Sequence, residues 1–268
     1  MKRIVFLILI LCLLTGCGSS SSETAPTKST LPPETTIQTE VPTTEAATEP
    51  TTIETIAPPA PQHAPLFIDG ISVDDLVSYF NEVCLEAEFI NSGDPSRLQK
   101  WTTPIYYVIY GEPTQEDLYV LNDFAGWLNT IEGFPGIWKA EDPMDANLRI
   151  FFDDADNMKQ ILGDNFTNMD GGVTFWYRND SIYDAVICYR TDLTQELRNS
   201  VILEEIYNGL GPIQDTDLRE DSIIYSGFSM PQQLTGLDEL ILKLLYHPSM
   251  KVGMDANGCE EVIRQLYY

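Results

Sequence analysis

A long segment without any hydrophobic pattern divides the chain into two unequal parts. Residues 18–65 consist mainly of Thr, Pro, Ser, Glu and Ala, with very few large apolar side chains. Such a segment cannot bury enough apolar surface to offset the conformational entropy that it would lose on ordering. We therefore expect residues 17–65 to form a disordered stalk and residues 66–268, about 200 residues, to form one folded domain.

The N-terminal residues have the organisation of a secretory signal. Lys2 and Arg3 precede an apolar run at residues 4–14, which is too short to span a bilayer because spanning requires about 20 apolar residues. The run continues into Leu-Thr-Gly-Cys at residues 14–17. This pattern resembles a bacterial lipoprotein signal, in which the cysteine becomes the first mature residue and carries the lipid. The resemblance implies a signal peptide at residues 1–16 and acylation of Cys17.

Acylation of Cys17 would anchor the protein to the cell membrane on its extracytoplasmic side, with the lipid bilayer as a partner. The alternative is an ordinary cleaved signal followed by an incidental cysteine.

The charge of the chain restricts its partners. The formal net charge is -26, and residues 18–65 contribute only six Glu and one Lys, so most of the excess lies in the folded part. Nucleic acid is not expected as a partner, because its phosphates are bound by Lys and Arg and a negative field opposes that association. The charge favours either solubility alone or the attraction of cationic ligands. The densest acidic cluster, residues 153–157, lacks the glycine and distal glutamate of a calcium-binding helix-loop-helix, and we expect a solvated loop there.

The cysteines leave two possibilities open. Three remain beyond the signal and the lipidation site: Cys84, Cys188 and Cys259. In an oxidising compartment this odd number allows one disulfide and one buried thiol, or three buried thiols. A cysteine nucleophile would require a nearby histidine, and the chain contains only His63 and His247.

The periodicity of apolar residues predicts an α+β domain. Spacings of three and four predict helices at residues 73–89, 114–131, 193–210, 237–246 and 257–266. Runs of β-branched and aromatic residues predict strands at residues 101–110, 136–140, 146–152, 173–178 and 182–190. Ser72 is the expected N-cap of the first helix, and Asp192 that of the third, with Gln195 in a capping box. This order of elements predicts a mixed sheet with long helices.

The end of the third long helix resembles a known catalytic motif. Residues 201–211, VILEEIYNGLG, resemble the active-site helix of the metzincin zinc peptidases, whose pattern is H-E-x-x-H-x-x-G-x-x-H. Laid on that pattern, Glu204, Asn208 and Gln214 occupy the places of the three histidines. Glu205 takes the place of the catalytic glutamate, and Asp215 follows the third ligand position. Residues 221–225 resemble the turn beneath the metal, with Ile224 where that family has Met. The resemblance implies a zincin-like, metzincin-type fold.

A second resemblance covers residues 71–266. The chain is similar to the bacterial family called domain of unknown function 2927, in which short motifs recur in a set order. The matching pieces are Glu204-Glu205, Leu210-Gly211, Asp221-Ser222-Ile223, Asp238, Leu245-Tyr246 and Gly253-Met254.

The residues at the three ligand positions are poorly suited to binding a catalytic zinc ion. A catalytic zinc takes three ligands of the His, Cys or carboxylate type and keeps one position for a water molecule. Asn208 and Gln214 offer neutral amides, which are poor zinc ligands. We therefore expect no metal, no cofactor and no peptidase activity. Glu204 and Asn208, on one helical face, would then be solvated or hydrogen-bonded, and Glu205 would accept hydrogen bonds from buried backbone.

Three functional classes follow from these observations. The first, which the metzincin resemblance implies, is a monomeric binding module in which an edge strand at residues 171–178 pairs with an extended peptide or a cell-wall component. The second is a hydrolase with Glu205 as general base, acting without metal or through an oxygen-ligated cation held by carboxylates such as Glu204 and Asp215. The third is a structural spacer in the cell wall. Five strand aromatics are expected either to line a groove or to form packing: Tyr106, Tyr107, Tyr110, Trp176 and Tyr177.

Overall fold

The computed structural model of the chain describes residues 66–85, 96–166 and 169–268. The predicted signal peptide, Cys17, the stalk and His63 lie outside the described residues. Within those three ranges, no helix combines the length and the apolar character needed to cross a bilayer.

Six strands of the described ranges form one sheet. They are β1 (Lys100–Trp101), β2 (Ile105–Gly111), β3 (Ile137–Lys139), β4 (Leu148–Asp153), β5 (Gly171–Arg178) and β6 (Ser181–Arg190). The main order across the sheet is β3-β2-β4-β6-β5. The first four of these strands are parallel, β5 pairs antiparallel with β6 at the edge, and β1 pairs parallel with the start of β6. The predicted mixed sheet with long helices is therefore confirmed.

The described residues contain six α-helices. They are α1 (Val73–Leu85), α2 (Gln115–Leu128), α3 (Ala155–Leu162), α4 (Gln195–Gly209), α5 (Gly236–Tyr246) and α6 (Ala256–Leu266). The helix predictions at α2, α4, α5 and α6 are confirmed to within a few residues. Ser72 is confirmed as the N-cap of α1, because its hydroxyl accepts a hydrogen bond from the backbone N–H of Asp75 at 3.1 Å.

The helices cover the two faces of the sheet unequally. Tyr189 of β6 donates its hydroxyl to the carbonyl of Ile202 in α4 at 3.2 Å, so α4 lies on the face to which Tyr189 points. Cys188 points to the opposite face, because side chains alternate along a strand. There it is buried with residues of α3 and the short turn that follows: Met158, Leu162 and Phe166. Helix α2 packs against α4.

Three local predictions are wrong, each for a physical reason. The strand predicted at residues 101–110 is two strands, because Pro104 has no N–H for a sheet ladder and Trp101 and Ile105 pair with different neighbours. The loop predicted at residues 153–157 begins α3, since the Asp154 side chain accepts from Asn157 N and caps the helix. Thr194, and not Asp192, caps α4.

Candidate functional site

Helix α4 carries the residues that the metzincin resemblance singled out. Thr194 starts the helix by accepting a hydrogen bond from the backbone N–H of Leu197 at 3.4 Å. From Ser200 to Gly209 every residue is buried. A helix that is buried on all sides lies inside the fold and presents no solvated stripe. Polar residues in this part of α4 are therefore interior groups.

Glu204, Glu205 and Asn208 lie in this buried stretch. Their relative exposures are 3%, 5% and 0%. Charged side chains are rarely this buried unless other groups compensate them. Of the two alternatives given for Glu204 and Asn208, this burial excludes the solvated helix face, because neighbouring elements cover both residues.

Glu205 lies directly beneath the edge strand. A Cβ atom built on Gly171 of β5 would overlap Cγ1 of Val201 and would lie 3.0 Å from Cγ of Glu205. The glycine therefore lets the backbone of β5 approach α4 closely. Burial, and next the charge of Glu205, raise the pKa of the Tyr189 hydroxyl well above its ordinary value. Burial, Asp153 and Glu205 together raise the pKa of the Cys188 thiol to about 12.

The amide of Asn208 occupies the place of the second metal-binding histidine. Both its Oδ1 and its Nδ2 are buried, and neither has a hydrogen-bond partner among the described residues. An unsatisfied buried polar group costs about 1–3 kcal/mol, so such groups are uncommon inside proteins. Asn208 is thus an energetically costly residue in the interior of the domain.

The remaining positions of the motif lie beyond the helix. Gln214 is half-buried, its backbone N–H donates to the carbonyl of Val83 at 3.3 Å, and its amide donates to the carbonyl of Asp215. Asp215 is also half-buried. His247 follows α5, where its Nδ1 accepts from the backbone N–H of Ser249. In the part of the chain that the structure describes, no three His, Cys, Asp or Glu side chains are grouped so that they could hold a metal ion.

The turn at residues 221–225 is fixed by a buried hydrogen-bond network. Asp238 accepts from Ser222 Oγ at 2.7 Å and from the backbone N–H of Ile223 at 3.2 Å. Tyr79 of α1 donates its hydroxyl to Ser222. Ile224 is fully buried, as expected of a core residue, while Tyr225 is partly exposed. The sequence signal for Asp238 is its place three residues after Thr235, in the capping box of α5.

A second buried network joins α2 to α4. The Asp117 carboxylate accepts from Arg198 Nε and from Gln195 Nε2, each at 2.7 Å. Both members of the ion pair are buried. Gln195 therefore bonds to α2 and does not complete the capping box predicted for α4. The ion pair was not predicted, although Thr114 and Asp117 have the spacing of a capping box.

Lys100 is a buried charged residue that no sequence motif indicated. Its ammonium donates to the carbonyl of Leu245 at the end of α5 and to that of Met250 in the segment that follows, both at 2.6 Å. Burial lowers the pKa of Lys100 to about 8. The cation thus satisfies the Leu245 carbonyl, one of those that the end of a helix leaves without partners.

The aromatic and cysteine alternatives are also resolved. Tyr107 is buried, whereas Tyr106 and Tyr110 are exposed on the opposite face of β2, so the five aromatics do not line one groove. The Arg149 guanidinium lies 5.9 Å from the ring centroid of Trp176. All three cysteines in the described residues are buried free thiols, which is the second of the two possibilities left open above.

Comparison with protein families identifies the domain. The sequence model of the family described as "Protein of unknown function (DUF2927)" matches residues 73–265. A comparison with curated proteins finds no match. The matched stretch begins with α1, ends within α6 and covers more than half of the chain, in agreement with the resemblance predicted for residues 71–266. The chain therefore belongs to the DUF2927 family.

Proposed function

We propose that this chain is an extracytoplasmic lipoprotein, anchored through Cys17, whose zincin-like domain binds an extended peptide without hydrolysing it. The sheet supports the zincin-like fold, because its antiparallel edge strand β5 lies against the helix that carries the degenerate motif. The anchor is supported by the lipoprotein-type pattern at residues 14–17.

The absence of catalysis rests chiefly on Asn208. A metal-bound water needs an open coordination position and three protein ligands of suitable chemistry. Asn208 places a fully buried neutral amide at one ligand position, and Gln214 places another amide beyond the helix. Glu205 then has no polarised water to deprotonate, although it retains the position of the general base.

Peptide binding is supported by the edge of β5 that no strand of the described residues pairs with. The carbonyl of Asp170 accepts from the backbone N–H of Arg190, and hydrogen-bonded pairs alternate along an antiparallel ladder. The outward-facing backbone groups are therefore those of Gly171, Val173 and Phe175. Within the described residues no strand pairs with that side of β5. Gly171, Val173 and Phe175 are themselves buried, so the added strand would have to reach an edge that is unpaired but covered. Backbone donors and acceptors that no strand pairs are suited to pairing with an added strand.

The pairing is tested with the full chain and an array of random heptapeptides. The best-binding heptapeptide is then resynthesised with single N-methyl groups at each position. Strand addition requires an alternating result: methylation of every second amide abolishes binding, and methylation of the others leaves it unchanged. Val173→Pro removes one outward N–H of β5 and should weaken binding at least about tenfold, the equivalent of about 1.4 kcal/mol. Equal tolerance of N-methylation at all positions would refute strand addition.

One observation supports the hydrolase as a second candidate. The Cγ atom of Glu205 lies directly beneath Gly171, so its side chain is next to the strand that would align a peptide. This candidate predicts that a broad hydrolase screen finds turnover, and that Glu205→Gln abolishes it while the thermal unfolding midpoint is unchanged. Elemental analysis of protein purified without chelator tests the oxygen-ligated cation that Glu204 and Asp215 would hold. Turnover that depends on Glu205 would replace the binding-module proposal.

A further inference from the structure

A cleft of about 500 Å³ opens on the side of α4 that faces away from β5. It lies between α2, α4 and residues 232–239. Asn199 and Leu203 line it from α4, whereas Val201 and Glu205 contact β5. These two pairs project from different sides of the helix, because successive residues turn by 100°. The cleft is therefore separate from the proposed peptide-pairing strand.

The lining of the cleft combines an apolar floor with an acidic aromatic rim. The floor contains Val120, Phe124, Leu203 and Leu234. Three carboxylates lie on the rim, from Glu116, Asp123 and Glu239. Ligand sites of this size are typically apolar, with a few polar groups that fix the orientation of the ligand. An acidic rim over an apolar floor suits a ligand that joins a cation to an apolar stem.

One end of the cleft already holds a cation from the chain itself. The Lys243 ammonium lies 2.8 Å from Oε2 of Glu239 and 5.9 Å from the ring centroid of Trp127. A cation near an aromatic ring and a carboxylate gains from both the ring quadrupole and the charge. The contact of Lys243 with Glu239 and Trp127 is thus an example, within the chain, of the interaction that a cationic ligand would make with this cleft.

The other end of the cleft also combines an aromatic ring with carboxylates, but no cation like Lys243 lies beside them in the described residues. Tyr119 is 65% exposed. Glu116 and Asp123 stand three residues before and four residues after it, so all three share one face of α2. Among the described residues no Lys, Arg or His forms an ion pair with either carboxylate. Two carboxylates therefore flank an exposed ring that is open to a cation.

We propose that this cleft binds a Lys- or Arg-bearing segment of a partner protein. The charged head of that side chain lies on the Tyr119 ring between Glu116 and Asp123, and its apolar stem and neighbours lie on the floor. In the lining, the amides of Asn199 and Gln232 already form hydrogen bonds within the chain, and the exposed amide of Gln233 suits the polar backbone of a peptide. The net charge of -26 attracts such a segment over distance.

The test measures fluorescence anisotropy of labelled peptides titrated with the full chain. The probes are Gly-Leu-Lys-Leu-Gly, its Arg counterpart and its Glu counterpart, with butylamine as a competitor that lacks a peptide backbone. The Lys and Arg peptides should bind at least about tenfold more tightly than the Glu peptide, and 1 M NaCl should weaken them. Tyr119→Ala and Asp123→Asn should each reduce affinity about fivefold, which corresponds to about 1 kcal/mol for an exposed cation–π or ionic contact.

Two matched controls alter exposed residues elsewhere. Tyr268→Ala removes an exposed ring at the C-terminus, and Glu112→Gln removes an exposed carboxylate before α2. Both should leave peptide affinity unchanged, and all four variants should keep the thermal unfolding midpoint of the parent. Equal binding of the Lys and Glu peptides, or an equal loss in the controls, would overturn the proposal. Competition by butylamine at the affinity of the whole peptide would overturn the assignment to a peptide partner.

Discussion

The buried ion pair between Asp117 and Arg198 allows a quantitative prediction about stability. Asp117 is fully buried, Arg198 is nearly so, and the two charges meet at 2.7 Å. Asp117→Asn keeps the shape of the side chain and an oxygen that can accept from Thr114, but it removes the charge. Arg198 would then remain buried without its counterion, which typically costs about 3–5 kcal/mol. That is a large part of the 5–15 kcal/mol that stabilises a typical protein.

Urea unfolding of the full chain, followed by far-UV circular dichroism, measures this loss. Asp123→Asn, on the exposed side of the same helix, is the matched control and should change the unfolding free energy by less than about 0.5 kcal/mol. The double variant Asp117→Asn/Arg198→Met removes both charges and should recover at least about 2 kcal/mol of the single variant's loss. A single variant within about 1 kcal/mol of the parent, or a double variant no more stable than the single, would refute this account.

The same ion pair predicts how stability depends on pH. Burial by itself raises the pKa of Asp117, but hydrogen bonds from Arg198, Thr114 and Gln195 outweigh it and hold this pKa below its ordinary value of 3.8. The carboxylate therefore contributes its full stabilisation above the ordinary pKa and loses it as the pH falls through the folded pKa. The stability difference between the parent and Asp117→Asn should shrink below about pH 4. A difference that stays constant down to about pH 2 would contradict this assignment.

Three further predictions concern buried positions. Burial lowers the pKa of Lys100 from 10.5 to about 8. Between pH 8 and pH 10.5 the unfolded chain therefore binds more protons than the folded chain. The free energy of unfolding should rise by about 1.5 kcal/mol between pH 8 and about pH 9.5. Urea titrations should detect this rise in the parent and not in Lys100→Met. Gly171→Ala should destabilise the fold by about 1–3 kcal/mol because the new methyl group overlaps Val201, whereas Gly126→Ala, with open space around it, should be neutral or stabilising. Asp238→Asn should lower the thermal unfolding midpoint. One oxygen of the Asp238 carboxylate accepts hydrogen bonds from both Thr235 and Ile223, and the loss of this oxygen should cost about 1–3 kcal/mol.

The location of the candidate site followed from the resemblance of residues 201–211 to the metzincin helix, but its chemistry did not follow in full. The residues at the ligand positions of α4 already opposed a zinc site, because amides replace imidazoles. The burial of Glu204 and Asn208 could not be derived in the same way. Their i, i+4 spacing places them on one helical face, but it does not specify whether water or protein covers that face.

Local chemistry determined the elements of this protein, because helix periodicity, capping residues and β-branched runs act over a few neighbouring residues. The helices α2, α4, α5 and α6 and the strands β3 to β6 were predictable from such patterns. The family was recognised from the order of its short motifs. Tertiary structure alone decided how the strands pair, and the edge position of residues 171–178 was expected only from the metzincin resemblance. It also brought together residues far apart in the chain, such as Asp117 with Arg198 and Lys100 with the end of α5. These long-range contacts depend on how the elements pack, and no short stretch of sequence contains that information.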